Sequence, residues 1–316
     1  MRAMILGAGL GTRLRPLTDL RPKHALPVRG LPVLAYTLAL LARHGVREVA
    51  INLHHLPDQV RAVAERHRPE GMALHFYHEP ELLGTGGGIR QLAAFLRESD
   101  PCLVLAGDMI LDADLVRLLA VHRDRENSVT LLLRADPRAA NFGTIGIDSG
   151  GCVRRIAGRF DLGGEASSGV YTHATVVRAD ALDGLPPRRS FGHLDDWLMP
   201  RLAAGASDVG ALLLDASECV WEPVGTLGEY LAANLRPHVL RYLDADARER
   251  SEGVRIEADL VIGAGARIGR EVRLERAVVW DGECVPDGFQ GSDGVFAGGR
   301  FHRCAGAEAS AGEGNA

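Results

Sequence analysis

Residues 7–27 read G-A-G-L-G-T-R-L-R-P-L-T-D-L-R-P-K-H-A-L-P, from Gly7 to Pro27. They follow an apolar run, Ala3 to Leu6, with the length and character of a short buried strand. Gly7, Gly9 and Gly11 let the backbone turn tightly and present bare N–H groups. Such groups hold phosphate oxygens without side-chain bulk. Arg13 and Lys23 add two cations: a planar fork that grips phosphate and a mobile point charge. Pro16, Pro22 and Pro27 stiffen the segment. A dinucleotide-binding G-x-G-x-x-G turn does not fit, because Thr12 stands where the third glycine belongs and the chain continues into Arg and Pro.

Working outward, strand and helix signals alternate to about residue 240. Helices are predicted over Leu34–Arg43, Asp58–Arg68, Ile89–Leu96 and Asp114–His122. Strands are predicted over Glu48–Asn52, Leu74–Tyr77, Cys102–Leu105 and Val129–Leu133. This order predicts an α/β fold, a Rossmann-like, mostly parallel sheet with helices on both faces. Ligands of such sheets sit beyond the carboxyl ends of the strands. Three loops follow predicted strands and should converge on one crevice: the first glycine loop, Gly84–Gly88, and the Gly107-Asp108 turn.

The chain of 316 residues is 46% hydrophobic and 24% charged, enough for a full core in one large and one small domain. A net charge of −5 argues against a nucleic-acid surface. Five cysteines, Cys102, Cys152, Cys219, Cys284 and Cys304, lack paired spacing, which predicts a reducing cytoplasm and no zinc site. The twelve histidines show no metal spacing. The longest apolar run, Leu31 to Ala42, is too short to span a bilayer, and no leader is expected before a strand this close to the N-terminus.

The opening string resembles the signature of the sugar-1-phosphate nucleotidyltransferases, or nucleotide-sugar pyrophosphorylases: G-x-G-T-R-L-x-P-L-T, then P-K-x-x-x-P. Gly9, Gly11, Thr12, Arg13, Leu14, Pro16, Leu17, Thr18, Pro22, Lys23 and Pro27 fill its fixed positions. The resemblance implies a GT-A-like nucleotidyltransferase domain over residues 1–240. It implies substrates of a nucleoside triphosphate and a sugar 1-phosphate, and Mg2+ as cofactor. Nucleotide contacts are then expected from Gly7, Ala8, Gly9, Gly11, Thr12, Glu79, Gly84 and Thr85. Glu79 stands where the family commonly has a Gln that reads a pyrimidine. A carboxylate only accepts, so it suits the adjacent N–H donors of guanine, although it also fits a plain surface position. The glycines of Gly84–Gly88 would press against a flat ring. Asp108, at the end of the apolar run Cys102–Ala106, matches the family's metal-binding Asp; a cap for the next helix is the competing role, and Asp112 and Asp114 suit it better. The implied chemistry is in-line attack of the sugar phosphate on the α-phosphorus. Arg13 holds the leaving pyrophosphate, Lys23 stabilises the α-phosphoryl group and Asp108 anchors the metal.

The sugar side departs from the family. Its second metal Asp, in W-x-D-[IV]-G-T, is replaced by Pro223 in Trp221-Glu222-Pro223-Val224-Gly225-Thr226. Glu222 is adjacent but should point the other way in an extended strand. The E-K-P motif is matched only by Gly158-Arg159-Phe160, and the sugar-contacting Asn by Ser167 in Ser167–Tyr171. Phe142-Gly143 keeps the aromatic–Gly pair. Gly143, Arg159 and Ser167 are thus the expected sugar-phosphate residues. Three readings stay open: a guanylyltransferase that makes a GDP-mannose-like product, a uridylyltransferase of the N-acetylmuramate 1-phosphate type, and a catalytically weak regulatory relative.

Beyond a charged linker at 244–253, Ile256, Ile262, Ile268, Leu274 and Trp280 recur every six residues, with Gly263 and Gly269 after two of them. That period predicts a short left-handed β-helix over 254–300, about one and a half coils. Too small to stand alone, it should pack on the catalytic part or on a second copy, as a homo-oligomer. The Gly/Ala/Ser/Glu tail at 304–316 is predicted to be disordered.

Overall fold

The strand Arg2–Leu6 lies at the centre of a ten-stranded sheet in this computed structural model, which describes residues 1–236, 239–243 and 253–304. Glu48–Leu53 and Cys102–Ala106 flank it, both parallel, with Met4 opposite Ala50 on one side and Val104 on the other. Ala73–His78 extends the parallel block beyond Glu48–Leu53. On the other side Ser167–Val177 runs antiparallel to Cys102–Ala106. Val129–Arg134 pairs antiparallel with it and carries Val209–Leu214 in parallel. The sheet is mixed and mostly parallel. The strands Ser167–Val177 and Val209–Leu214 were not foreseen, nor was an antiparallel extension in which Ile145–Ile147 pairs with the start of Ser167–Val177 and carries Val153–Ile156 and Phe160–Asp161.

The central strands read as unbroken apolar runs because both faces are covered. Successive side chains alternate between the two cores. Ala3, Ile5, Val49, Ile51, Leu103 and Leu105 meet the helices Val33–Arg43, Pro57–Arg66 and Leu115–Asp124. Met4, Ala50 and Val104 meet Gly84–Gln91, Ala93–Leu96 and Met199–Ala203 on the other face. Asp114 caps Leu115–Asp124 by accepting from Arg117 N at 3.0 Å, so this cap does not require Asp108. No helix among the described residues is long and apolar enough to cross a membrane, and no group of three His, Cys, Asp or Glu is arranged to hold a metal.

In the C-terminal part, parallel strands stack with a constant displacement of 17 residues: Leu260 lies beside Ala277, Arg267 beside Cys284 and Arg273 beside Gln290. A Cβ on Gly263 would come within 2.4 Å of Asp281 N, and one on Gly269 within 2.6 Å of Asp287 N, so glycine is required where the backbones stack. The six-residue pattern departs from expectation at its start. Arg255–Glu257 folds back antiparallel on Leu260–Ile262, so Ile256 belongs to a hairpin and not to a parallel rung.

The stack is packed on its own chain. Trp280, Val261, Val278 and Val295 share a core with Leu14, Leu26, Tyr36 and Tyr230. Trp280 Nε1 donates to Tyr230 Oη at 2.9 Å, and Tyr230 Oη donates to Pro27 O at 2.6 Å. Arg21 grips Asp281 through two bonds, 2.8 and 3.0 Å, with its guanidinium 4.6 Å from the Trp280 ring. Cys304, expected to begin the tail, is buried and donates its N–H to Asp293 O at 2.7 Å. The rest of the tail, 305–316, and the linker at 244–252 lie outside the described residues.

Candidate active site

The carboxyl ends of the parallel strands open into a cleft of about 240 Å3, lined by Ala8, Gly9, Glu79, Gly84, Thr85 and Asp108. The three predicted loops meet there. Gly9 has nothing within 4 Å of where a Cβ would stand, so its backbone is open to a ligand. Gly7 differs from expectation: its N–H is not bare but donates to Asn52 Oδ1 at 2.8 Å, and a Cβ would sit 2.7 Å from Asn52 O. Gly11 turns the chain at φ 65°, its carbonyl accepting from Thr18 Oγ1 at 2.9 Å. Thr12 and Arg13 follow on the exposed turn Thr12–Leu14, beside the cleft and not on its wall; a Cβ on Gly225 would lie 3.2 Å from Arg13 Nη2.

Lys23 Nζ donates to Asp108 Oδ2 at 2.5 Å. The Lys23 side chain is 10% exposed and that of Asp108, which lines the cleft, is 35% exposed. Burial alone would raise the Asp108 carboxyl, but the charge and hydrogen bond of Lys23 outweigh it and hold the group below its usual range. Asp108 Oδ1 has no hydrogen-bond partner among the described residues. Gly107 allows this turn, since a Cβ there would meet Ile5 Cγ2 at 2.7 Å and His24 Cδ2 at 3.0 Å. His24 lies on the same wall. Burial pushes its pKa down to about 4 against the pull of Asp108, so its imidazole is neutral at pH 7.

Glu79 is 1% exposed, which removes the surface-residue alternative. Its Oε1 accepts from Asn52 Nδ2 at 2.6 Å and its Oε2 from Leu83 N at 3.1 Å. Gly7 N–H, Asn52, Glu79 and Leu83 N–H thus form one buried chain that ties the first glycine loop to the second. The second loop also corrects an expectation. The flat ring against its glycines is the protein's own Phe191, 2.3 Å from a Cβ on Gly86, and Gly86 N donates to Phe191 O at 2.9 Å. Only Gly84 and Thr85 of this loop reach the cleft.

A second cavity of about 180 Å3 lies alongside, with Phe142, Gly143, Arg159, Tyr171 and Trp221 on its walls. Gly143 and Arg159 are therefore brought together. Arg159 Nη1 donates to Asp195 at 2.7 Å and stays half exposed. Ser167 is not on this wall; it pairs with Ile147 at the exposed edge of the antiparallel extension. Tyr171 and His173, further along the same strand, take the place expected of it, because the strand needs several residues to travel from its edge to the cavity. Tyr171 Oη bonds Thr175 Oγ1 at 2.5 Å and His193 Nε2 at 3.2 Å, while His193 Nδ1 bonds Thr85 Oγ1 at 2.7 Å. Burial pushes His193 down to about 3. Pro223 lies opposite Met109, and Val224 N donates to Asp108 O at 3.0 Å, so Pro223 does border the Asp108 turn. Glu222 is turned to Arg138 at 2.8 Å and Arg236 at 3.6 Å.

The profile of the family described as "Nucleotidyl transferase" matches residues 2–238. This chain belongs to the nucleotidyl transferase family. It is 32% identical over 302 residues to the mannose-1-phosphate guanylyltransferase of Mycobacterium tuberculosis, covering 90% of this chain and 81% of that protein. It is 31% identical over 245 residues to the N-acetylmuramate alpha-1-phosphate uridylyltransferase of Caulobacter vibrioides, covering 74% and 96%. The crystal structure of HddC from Yersinia pseudotuberculosis complexed with GMP-PN shares the fold, with a TM-score of 0.62 at 21% identity over 74% of this chain and 97% of that one.

As a nucleotidyl transferase the chain is an enzyme, and its cleft contains residues that sequence reasoning passed over. His24 sits inside the P-K-x-x-x-P stretch, where the fixed positions drew attention away from the variable ones. Asn52 had a usable signal, as a lone amide near the end of the apolar strand Glu48–Leu53. His173 and His193 had none, because the chain brings them to Asp108 and Thr85 from a distance.

Proposed function

We propose that this nucleotidyl transferase moves a nucleotidyl group from a nucleoside triphosphate, GTP in preference, to a sugar 1-phosphate such as mannose 1-phosphate, releasing pyrophosphate. The observation that carries the reading is the convergence of Ala8, Gly9, Gly84 and Thr85 in one cleft with Asp108, to which Lys23 is bonded. The likeness over most of its length to a mannose-1-phosphate guanylyltransferase supports guanine and mannose. The acceptor-only Glu79 on the cleft wall, whose oxygens each keep a second lone pair beside their internal bonds, supports guanine alone.

In this reading the loop around Gly9 holds phosphate oxygens through backbone N–H groups. An oxygen of the sugar phosphate forms a bond to the α-phosphorus as the bond to the pyrophosphate oxygen breaks. Alignment and charge stabilisation do the work. Lys23 neutralises charge on the α-phosphoryl group, Arg13 reaches the leaving pyrophosphate from the exposed turn, and Gly143 and Arg159 receive the sugar phosphate. Mg2+ fits the residues present: Asp108 would hold it through the unpartnered Oδ1, leaving its other positions to water and phosphate, as a hard ion with one protein carboxylate requires. When bound it would neutralise phosphate charge. We read the 17-residue stack as the expected short left-handed β-helix.

Pro223 and the turned-away Glu222 favour a second reading, a relative that binds nucleotide without turnover. A pyrophosphate-release assay over a panel of triphosphates and sugar 1-phosphates decides between the two. The expected outcome is fastest release with GTP and mannose 1-phosphate. Faster release with UTP would overturn the base preference. Binding of GTP with no release from any pair would establish the second reading. Under the enzyme reading, Pro223→Asp tightens Mg2+, measured by calorimetry in the presence of GTP, and raises turnover.

A further inference from the structure

His173 is the only residue found on the walls of both cavities among those described. The strand that carries it breaks register against Val129–Arg134. Tyr171 opposes Leu133 and Thr175 opposes Leu131, so three residues face one across the gap. Such a bulge re-aims a side chain. Within it His173 adopts φ 58°, in the left-handed region where glycine is at ease and other residues cost on the order of 1–3 kcal/mol.

Its neighbours impose this geometry. Thr172 Oγ1 donates to Leu132 O at 2.9 Å, and Thr172 and Ala174 are buried on either side. The imidazole leans on the Tyr171 ring in a tilted contact, centroids 4.5 Å apart and planes at 39°. Tyr171 is itself fixed by Thr175 and His193. The result is a side chain that is open to the cleft, held at the junction, and close enough to Lys23 and Asp108 for both charges to act on it.

The two substrates of an in-line transfer must meet where their pockets meet. The residue at that meeting point therefore faces the phosphates being joined. Beside it, Pro223 has no polar side chain and Glu222 is held by Arg138 and Arg236, while Gly143 and Arg159 lie on the wall of the second cavity alone. We propose that His173 is a further substrate-contacting residue of the transfer site, donating an imidazole N–H to the sugar phosphate as it approaches the α-phosphorus. An imidazole carries an N–H donor whether neutral or protonated, so this role does not depend on its charge. The proposal rests on the sugar-1-phosphate reading above.

The test is His173→Gly, chosen because glycine accepts the left-handed backbone and the variant should fold. With GTP and mannose 1-phosphate, turnover is expected to fall about a hundredfold, as for the loss of one preorganised donor. The KM for mannose 1-phosphate should rise, while the Kd for GTP and the Tm stay unchanged. Added imidazole should restore part of the turnover in a saturable way, filling the space left by the ring. Retention of kcat/KM for both substrates within about twofold would overturn the proposal, as would an equal loss of GTP binding together with a lowered Tm. If the wild-type protein turns over no substrate pair, the function reading fails on its own. The inference is then decided by calorimetry of mannose 1-phosphate with GTP present: weaker binding to His173→Gly supports it, and equal binding overturns it.

Discussion

The two cavities that meet at His173 are built by different means. The first is assembled from short stretches at the tips of parallel strands, with Gly9 after Arg2–Leu6 and Asp108 after Cys102–Ala106. The second is assembled across the antiparallel extension from residues far apart in the chain, Gly143, Arg159, Tyr171 and Trp221. In the first, one loop carries a whole chemical task, so backbone geometry and side chains are specified together. In the second, each residue depends on register between strands, so any one can drift while its neighbours hold shape. The family's signature string survives in the first, while the departures at Pro223, Gly158 and Ser167 fall on the segments around the second and not on its wall.

The largest effect that sharpens this contrast is expected from Lys23→Ala. Turnover should fall about a hundredfold or more with far less change in the Kd for GTP, because the ammonium acts on charge at the α-phosphorus. A single-turnover assay beside a binding titration checks it. Equal losses in both would place Lys23 in binding alone, and full activity would break the catalytic assignment.

Next comes acid sensitivity, which spans both cavities. His24 and His193 are held neutral, with pKa values pushed down to about 4 and about 3. A depressed imidazole makes the unfolded state the stronger proton binder as pH falls below 6.5. Stability should therefore be full above pH 6.5 and decline as pH falls. The His24 part should be exhausted near pH 4 and the His193 part near pH 3. Urea unfolding of the wild type, His24→Asn and His193→Asn between pH 7 and pH 3 separates the two contributions. A flat wild-type profile would contradict both.

Glu79→Gln follows. Asn52 cannot rotate its amide to suit a glutamine without losing the Gly7 bond, so one buried donor is left without an acceptor. The cost is about 1–3 kcal/mol, read by urea unfolding. A lowered preference for GTP over UTP beside that loss would show Glu79 to read the base as well as brace the loops, and an unchanged preference would leave it a brace alone. The smallest effect is expected from Tyr171→Phe in the second cavity. It removes a hydroxyl shared by Thr175 and His193 and should cost about 1 kcal/mol. A loss exceeding that of Glu79→Gln would reverse the comparison and make the second cavity the more tightly specified.

What the sequence disclosed follows the same division. The parallel block was legible because each strand is a continuous apolar run with a helix after it. The Lys23–Asp108 partnership was legible only as two separate motifs; the contact between them depends on how the turn at Gly107 packs on Ile5 and His24. The role of the Gly84–Gly88 run was misread, because periodicity and composition cannot distinguish a backbone kept bare for a ligand from one kept bare for Phe191. The antiparallel extension went unseen, since its strands, among them Ile145–Ile147 and Phe160–Asp161, are too short to carry a period.

The Trp280–Tyr230–Pro27 relay has a consequence for anyone who would cut the molecule down. The family profile stops at residue 238, yet a tryptophan over forty residues later is wired by hydrogen bonds to a carbonyl four positions from Lys23. The border of the family profile is therefore not the border of the cooperative unit, and the likeness to the mannose-1-phosphate guanylyltransferase, which covers 90% of the chain, also runs past it. A gene trimmed at residue 238 would encode a chain missing one wall of its own interior, and grafting this stack onto another scaffold would require grafting Tyr230 with it.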